Sequence, residues 1–132
     1  DPDATLRSTV LERLARLPEL SAADVSSLAQ KLGKEGTDVA LETVVGWYRD
    51  LLGLAVGDSS TPLRNLDART VLDAAASRTT TPTVLRQLEV VCDTIDAVER
   101  NANKVLALET MLLALRQLER RPVRDAAWTT TS

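Results

Sequence analysis

The sequence predicts an all-α fold, a compact bundle of about six helices. Apolar residues recur at helical spacing in six segments, whereas no segment shows the alternation of apolar and polar residues that a strand requires. Proline, glycine, serine and asparagine fall between these segments, where such residues begin or end helices. With 132 residues, 44% of them hydrophobic, the chain has the size of one domain with a single core.

The N-terminal segment predicts two short helices. The first covers residues 4–17 and stops at Pro18, because proline cannot continue the hydrogen-bond ladder. Ser21 is then expected to be the N-cap of the second helix, and Gly33 is expected to end it.

The third predicted helix covers residues 38–56 and is followed by a loop over residues 58–65. Gly46 and Gly53 share one face of this helix, opposite a wide apolar arc. They are either incidental surface glycines or places where another backbone comes close. After the loop, Asp67 is expected to cap a short fourth helix.

Two long helices follow, over residues 82–100 and 104–120, with Thr81 as the expected N-cap of the first. Asn101 closes one helix and Asn103 opens the next, so the two are expected to form an antiparallel hairpin.

The predicted helical domain covers residues 3–120, and residues 121–132 are expected to form a tail. The sequence begins at Asp1 without methionine, which suggests a piece of a longer protein.

The sixth helix is apolar nearly all round. Leu112 lies at the centre of one wide arc, while Leu106 and Leu113 form a second stripe on the other side of Glu109. The helix is either the central helix of the bundle or one shared between the core and a protein interface. Because a half-buried carboxylate needs partners, Glu109 is expected to accept hydrogen bonds from a neighbouring segment.

Two other side chains have competing interpretations. Trp47 fits a core anchor better than a binding hot spot, although tryptophan is enriched at both. Cys92 shares a predicted face with Leu85 and Leu88, so it is expected to be a small buried hydrophobe rather than a nucleophile.

Composition argues against several classes of function. There is no histidine and only one cysteine, so the common metal sites, an internal disulfide and an imidazole base all lack their residues. The net charge of -3 does not favour direct nucleic-acid binding. No phosphate-binding or hydrolase motif occurs, and no apolar run is long enough to span a bilayer. We expect a cytoplasmic, non-catalytic domain without cofactor, metal or small-molecule ligand.

Four stretches carry a resemblance to a known family. They are WYRDLLGLAVGD from Trp47, NLD from Asn65, TPTVLRQLEVV from Thr81 and ERNANKVLALETMLLAL from Glu99. In this order and spacing they resemble the C-terminal collar domain of the delta-prime subunit of the bacterial DNA polymerase III clamp loader. The resemblance covers residues 39–118, and Lys104 departs from it because proline is frequent there.

The resemblance implies a collar-type helical bundle that follows an AAA+ module and packs beside neighbouring subunits, tau/gamma and delta. It implies assembly of the loader without direct contact to nucleic acid or membrane. The related alternative is the tau/gamma collar, and the alternative from another class is a dimerising or ligand-binding helical domain of a transcriptional regulator. The candidate interface or structural residues are Trp47, Arg49, Asp50, Asn101, Asn103, Leu106, Glu109 and Leu113.

Overall fold

The computed structural model describes residues 1–57 and 68–121. This part of the chain consists of helices joined by turns and short irregular stretches, and it contains no strand. The all-α prediction of about six helices is confirmed. The elements are α1 (Pro2–Ala15), a 3-10 turn (Leu17–Glu19), α2 (Ala22–Glu35), α3 (Thr37–Ala55), α4 (Arg69–Ala76), α5 (Thr81–Glu99) and α6 (Lys104–Arg120). The predicted loop over 58–65, the Asp67 cap and the tail beyond Arg121 lie outside the described residues.

Two helices organise the packing. Helix α3 packs against α1, α4, α5 and α2, and α6 packs against α2, α5 and the 3-10 turn, so α5 lies between α3 and α6. Trp47 and Tyr48 are the largest fully buried side chains in the shared core. In the described part of the chain, no helix has both the length and the apolarity to cross a membrane.

Side-chain caps fix where several helices begin. Ser21 and Asp24 form a reciprocal capping box, each side chain accepting a hydrogen bond from the other's backbone N–H at 3.0 Å. Helix α1 begins two residues earlier than predicted, because Asp1 caps it and Pro2 fits its first turn. Thr80, rather than Thr81, caps α5.

The prediction that α2 ends at Gly33 is wrong. Helix α2 continues to Glu35, and Gly36 follows as its cap. A Cβ at Gly33 would lie 2.8 Å from Cγ2 of Val105 on α6, closer than real Cβ atoms come. Gly33 therefore permits a close approach of two helices, whereas Gly53 has nothing within 4 Å of its Cβ position. One close approach between helices thus occurs at Gly33, which the sequence predicts to be a helix end.

The predicted buried face of α5 is correct for Val84 and Val91 but wrong for Leu85 and Cys92. Cys92 is exposed and Leu85 is 49% exposed. The buried face instead includes Gln87 and Thr94. These polar side chains are satisfied in place, because Gln87 Nε2 donates to the Leu115 carbonyl at 3.3 Å and Thr94 Oγ1 donates to a backbone carbonyl within its own helix at 2.9 Å.

Candidate protein interface

One side of α6 is closed against its own domain. Val105 faces Gly33 of α2, and two arginines near the end of the helix reach the chain between α1 and α2. Arg116 Nη1 and Arg120 Nη2 donate to the Leu20 carbonyl at 3.0 and 3.1 Å, while Arg120 Nε donates to the Pro18 carbonyl, two residues earlier, at 3.0 Å. We call this α2–α6 contact the closed seam.

The other side of α6 borders a groove of about 390 Å³ between α5 and α6, which we call the open seam. Its base includes buried Met111 and Thr94, and its other polar lining residues are Asp93, Asn103 and Thr110. The remaining lining residues are aliphatic: Val90, Ala97, Ala102, Leu106, Ala107 and Ala114. The volume lies near the lower end for small-ligand pockets, about 300 to 1,000 Å³. However, small-ligand sites bury most of the ligand's surface, whereas this groove is open to solvent, so it suits the side chains of a protein partner better.

The turn between α5 and α6 closes one end of this groove. Asn101 has φ of 64°, the left-handed conformation that favours glycine or asparagine after a helix. The Asn101 and Ala102 N–H groups donate to the Val98 and Ala97 carbonyls at 3.1 and 3.0 Å, the paired bonds of a Schellman motif. Asn103 Oδ1 then accepts from the Leu106 N–H at 2.9 Å and caps α6. Both asparagines thus shape the turn.

The two leucines of the second α6 stripe have different environments. Leu106 is 63% exposed, the highest value among the large hydrophobic side chains of the described residues. Leu113 is half-buried and packs against the domain's own core. The candidate interface therefore centres on Leu106, while Leu113 contributes to the monomer.

Glu109 does not behave as expected. It is half-buried, but no hydrogen bond or ion pair joins its carboxylate to any described residue. Because the side chain keeps access to water, it does not require a protein partner. The nearby cation on its helix face, Arg116, is turned to the Leu20 carbonyl instead.

The aromatic-Arg-Asp segment on α3 points in two directions. Trp47 is fully buried and Asp50 is 4% exposed, whereas Arg49 is exposed. Trp47 therefore packs in the core, and only Arg49 of these three candidates is accessible to a partner.

A buried polar cluster at the end of α6 was not anticipated from the sequence. Burial raises the pKa of Glu119 to about 7, and the nearby Arg78 guanidinium lowers it only in part. The same burial raises the pKa of Tyr48 well above its usual value, with the Glu119 charge adding to the effect. Within the described residues, neither the Tyr48 hydroxyl nor Glu119 Oε2 has a hydrogen-bond partner.

Hydrophobicity patterns did not predict the groove, although the small residues that form it are visible in the sequence. Ala107 and Ala114 are seven residues apart on α6, so they form a stripe of small side chains beside Leu106. Analysis of hydrophobicity alone counts alanine as core and does not reveal that such a stripe leaves a depression. Glu119 carries no comparable signal, because it resembles the exposed charges that usually end a helix.

Comparison with known families gives one finding. A family model described as DNA polymerase III, delta subunit, C terminal, matches residues 3–117, which is well over half of the chain. Searches of curated proteins and of solved structures gave no match.

Proposed function

The chain belongs to the family described as DNA polymerase III, delta subunit, C terminal, and from this premise we propose that it is a non-catalytic assembly domain of the bacterial clamp loader. In this proposal it packs with the collar domains of neighbouring subunits and so supports sliding-clamp loading in DNA replication. Its working location is the cytoplasm, and the domain needs no cofactor, small-molecule ligand or direct contact with nucleic acid.

Exposed Leu106 beside the open seam is the observation that supports this role. Burying a leucine side chain stabilises an association by about 1.5 to 3 kcal/mol, and exposed apolar surface beside a groove commonly marks a protein interaction site. The closed seam, in contrast, shows that the domain needs only part of α6 for its own core.

The position within the loader is the finer part of the proposal. The family match does not distinguish delta from delta-prime, but the segments beginning at Trp47 and Glu99 resemble delta-prime. We therefore assign the delta-prime position, with tau/gamma and delta as neighbours. The nearest alternative is the tau/gamma collar, whose sequence pattern is related. We prefer delta-prime because the tau/gamma pattern usually lacks the aromatic-Arg-Asp helix.

Direct binding tests this function. Size-exclusion chromatography and calorimetry should show a complex between this chain and a purified tau/gamma or delta collar at about 50 µM. Leu106→Asp should weaken that complex at least about tenfold, because it places a charge in an apolar contact. Val71→Asp is the matched control, since Val71 is also exposed but lies on α4, which packs on α3 and α1.

Three outcomes would contradict the proposal in different ways. No complex with any collar would contradict the assembly role. An equal loss for both aspartate variants would contradict the assignment of the interface to the open seam. If this chain could replace the tau/gamma subunit but not the delta-prime subunit in a reconstituted loader, the assignment to the delta-prime position would be wrong.

A further inference from the structure

The two helices that border the open seam differ in charge. On α5, Glu89, Asp93 and Asp96 follow one another at intervals of four and three residues, so they share an exposed face, and Asp93 also lines the groove. Arg86 pairs with Glu89 at 3.3 Å, whereas no described residue forms an ion pair with Asp93 or Asp96. Arg100, four residues after Asp96 on the same face, forms no ion pair with it, so the α5 side carries two unpaired carboxylates between the cations Arg86 and Arg100.

The α6 side of the groove is uncharged. The residues that α6 contributes to the lining are apolar or neutral, among them Leu106 and Thr110, and Asp93 is the only ionisable residue that lines the groove in the described part of the chain. Lys104, exposed at the start of α6, is not part of the lining. A partner lying along the seam thus meets apolar and neutral surface on one side and carboxylates on the other.

We propose that the open seam receives a basic amphipathic helix, whose apolar side chains fill the alanine-lined groove beside Leu106 and whose lysines or arginines face Asp93 and Asp96. This inference rests on the proposed function, because it names the kind of element that a neighbouring subunit contributes. Apolar residues spaced three and four apart would enter the groove, as in other helix-in-groove interfaces.

Charge favours this occupant over a second copy of the same chain. A symmetric pair formed through the open seam would place the Asp93 carboxylates of both copies in one interface, and each chain carries a net charge of -3. Like charges facing each other across an interface oppose association, whereas a basic helix would be attracted.

A pair of synthetic helical peptides tests the inference independently of any clamp-loader subunit. Both peptides carry the same leucines at i, i+4 and i+7, one with flanking lysines and the other with flanking glutamates. Fluorescence anisotropy at low salt should show the lysine peptide binding the full chain at least about tenfold more tightly than the glutamate peptide.

Matched variants locate the effect. Asp93→Lys should weaken binding of the lysine peptide at least about fivefold and improve binding of the glutamate peptide. Glu42→Lys makes the same change of charge at an exposed position of α3 that does not line the groove, and it should change binding less than about twofold at about 0.15 M salt, where the Debye length is about 8 Å. Leu106→Asp should abolish binding of both peptides, and circular dichroism should show that every variant keeps its helix content.

Other results would overturn the inference. These are absence of lysine-peptide binding, equal effects of Asp93→Lys and Glu42→Lys, or a chain that dimerises in sedimentation equilibrium through contacts that Leu106→Asp removes. Peptide binding without any collar complex would refute the proposed function alone, whereas a collar complex indifferent to Asp93→Lys would refute this inference alone.

Discussion

The closed and open seams lie on two sides of one helix, and they differ in what covers α6. At the closed seam, Gly33 allows α2 to approach Val105 closely. Arg116 and Arg120 donate hydrogen bonds to backbone carbonyls of the segment between α1 and α2. On the open seam, alanines leave a groove beside exposed Leu106. Helix α6 is thus apolar nearly all round, although the core of its own domain covers only one side of it.

The largest expected effect is a difference in stability between leucines of the two seams. Leu112 is two turns after Val105 on the same side of α6 and is 1% exposed. Leu112→Ala should lower the free energy of unfolding by about 2 to 5 kcal/mol, because it leaves a cavity in the core. Urea unfolding followed by circular dichroism would measure the loss.

Leu106→Ala is the control for that comparison. Because Leu106 is already mostly in water, truncation should change the free energy of unfolding by less than about 0.5 kcal/mol. A comparable loss for both variants would mean that the open seam is part of the monomer's core, and the distinction between the seams would fail.

The sequence predicted the helices better than it predicted their faces. Helix existence follows from local features, such as the Ser21 cap and the Asn101–Asn103 turn, which act within a few residues. The buried face of α5 depends on its position between α3 and α6, where Gln87 obtains a partner from α6 that no local pattern reveals. Leu85 and Cys92 were assigned inward on hydrophobicity alone, and both are exposed.

The same reasoning explains which part of the candidate interface could be predicted. The excess of apolar residues on α6 indicated a second surface and named Leu106. The sequence could not show that Leu113 packs against the core or that Gly33 permits a close approach of α2 to α6. Both depend on how α6 is rotated relative to α2, which the pattern of a single helix does not define.

The second expected effect is a loss of stability with rising pH. The pKa of Glu119 is raised from its usual 4.5 to about 7 in the folded chain, so the native state holds a proton that the unfolded state releases. This carboxyl opposes folding little below pH 4.5, increasingly between 4.5 and 7, and fully above 7. The full pKa difference corresponds to a loss of about 3 kcal/mol in the free energy of unfolding. Because the side chain is partly accessible to solvent, we expect a loss of about 2 kcal/mol.

Glu119→Gln tests this effect, because the amide keeps the shape and cannot ionise. In urea unfolding, the wild-type chain should lose stability between pH 4.5 and about 7, and the variant should lose much less. The absence of histidine leaves few other groups to titrate in that range. Matching pH profiles for the two chains would show that Glu119 is ionised and solvated in the native state.

The smallest expected effect has opposite signs at two helical glycines. Gly53→Ala should stabilise the chain by about 0.5 to 1 kcal/mol, because alanine favours the helix and no atom lies within 4 Å of the new methyl group. Gly33→Ala gains the same helix preference but drives its methyl group into Val105, an overpacking that costs about 1 to 3 kcal/mol, so a net loss of about 1 kcal/mol is expected.

A double-mutant cycle with Val105→Ala separates propensity from packing at the closed seam. In the Val105→Ala background the methyl group at position 33 has room, so Gly33→Ala should become neutral or stabilising, with a coupling energy of about 1 to 2 kcal/mol. An unchanged cost of Gly33→Ala in that background would mean that α2 and α6 do not approach at this glycine. The closed seam would then owe its closure to Arg116 and Arg120 rather than to close packing of the two helices.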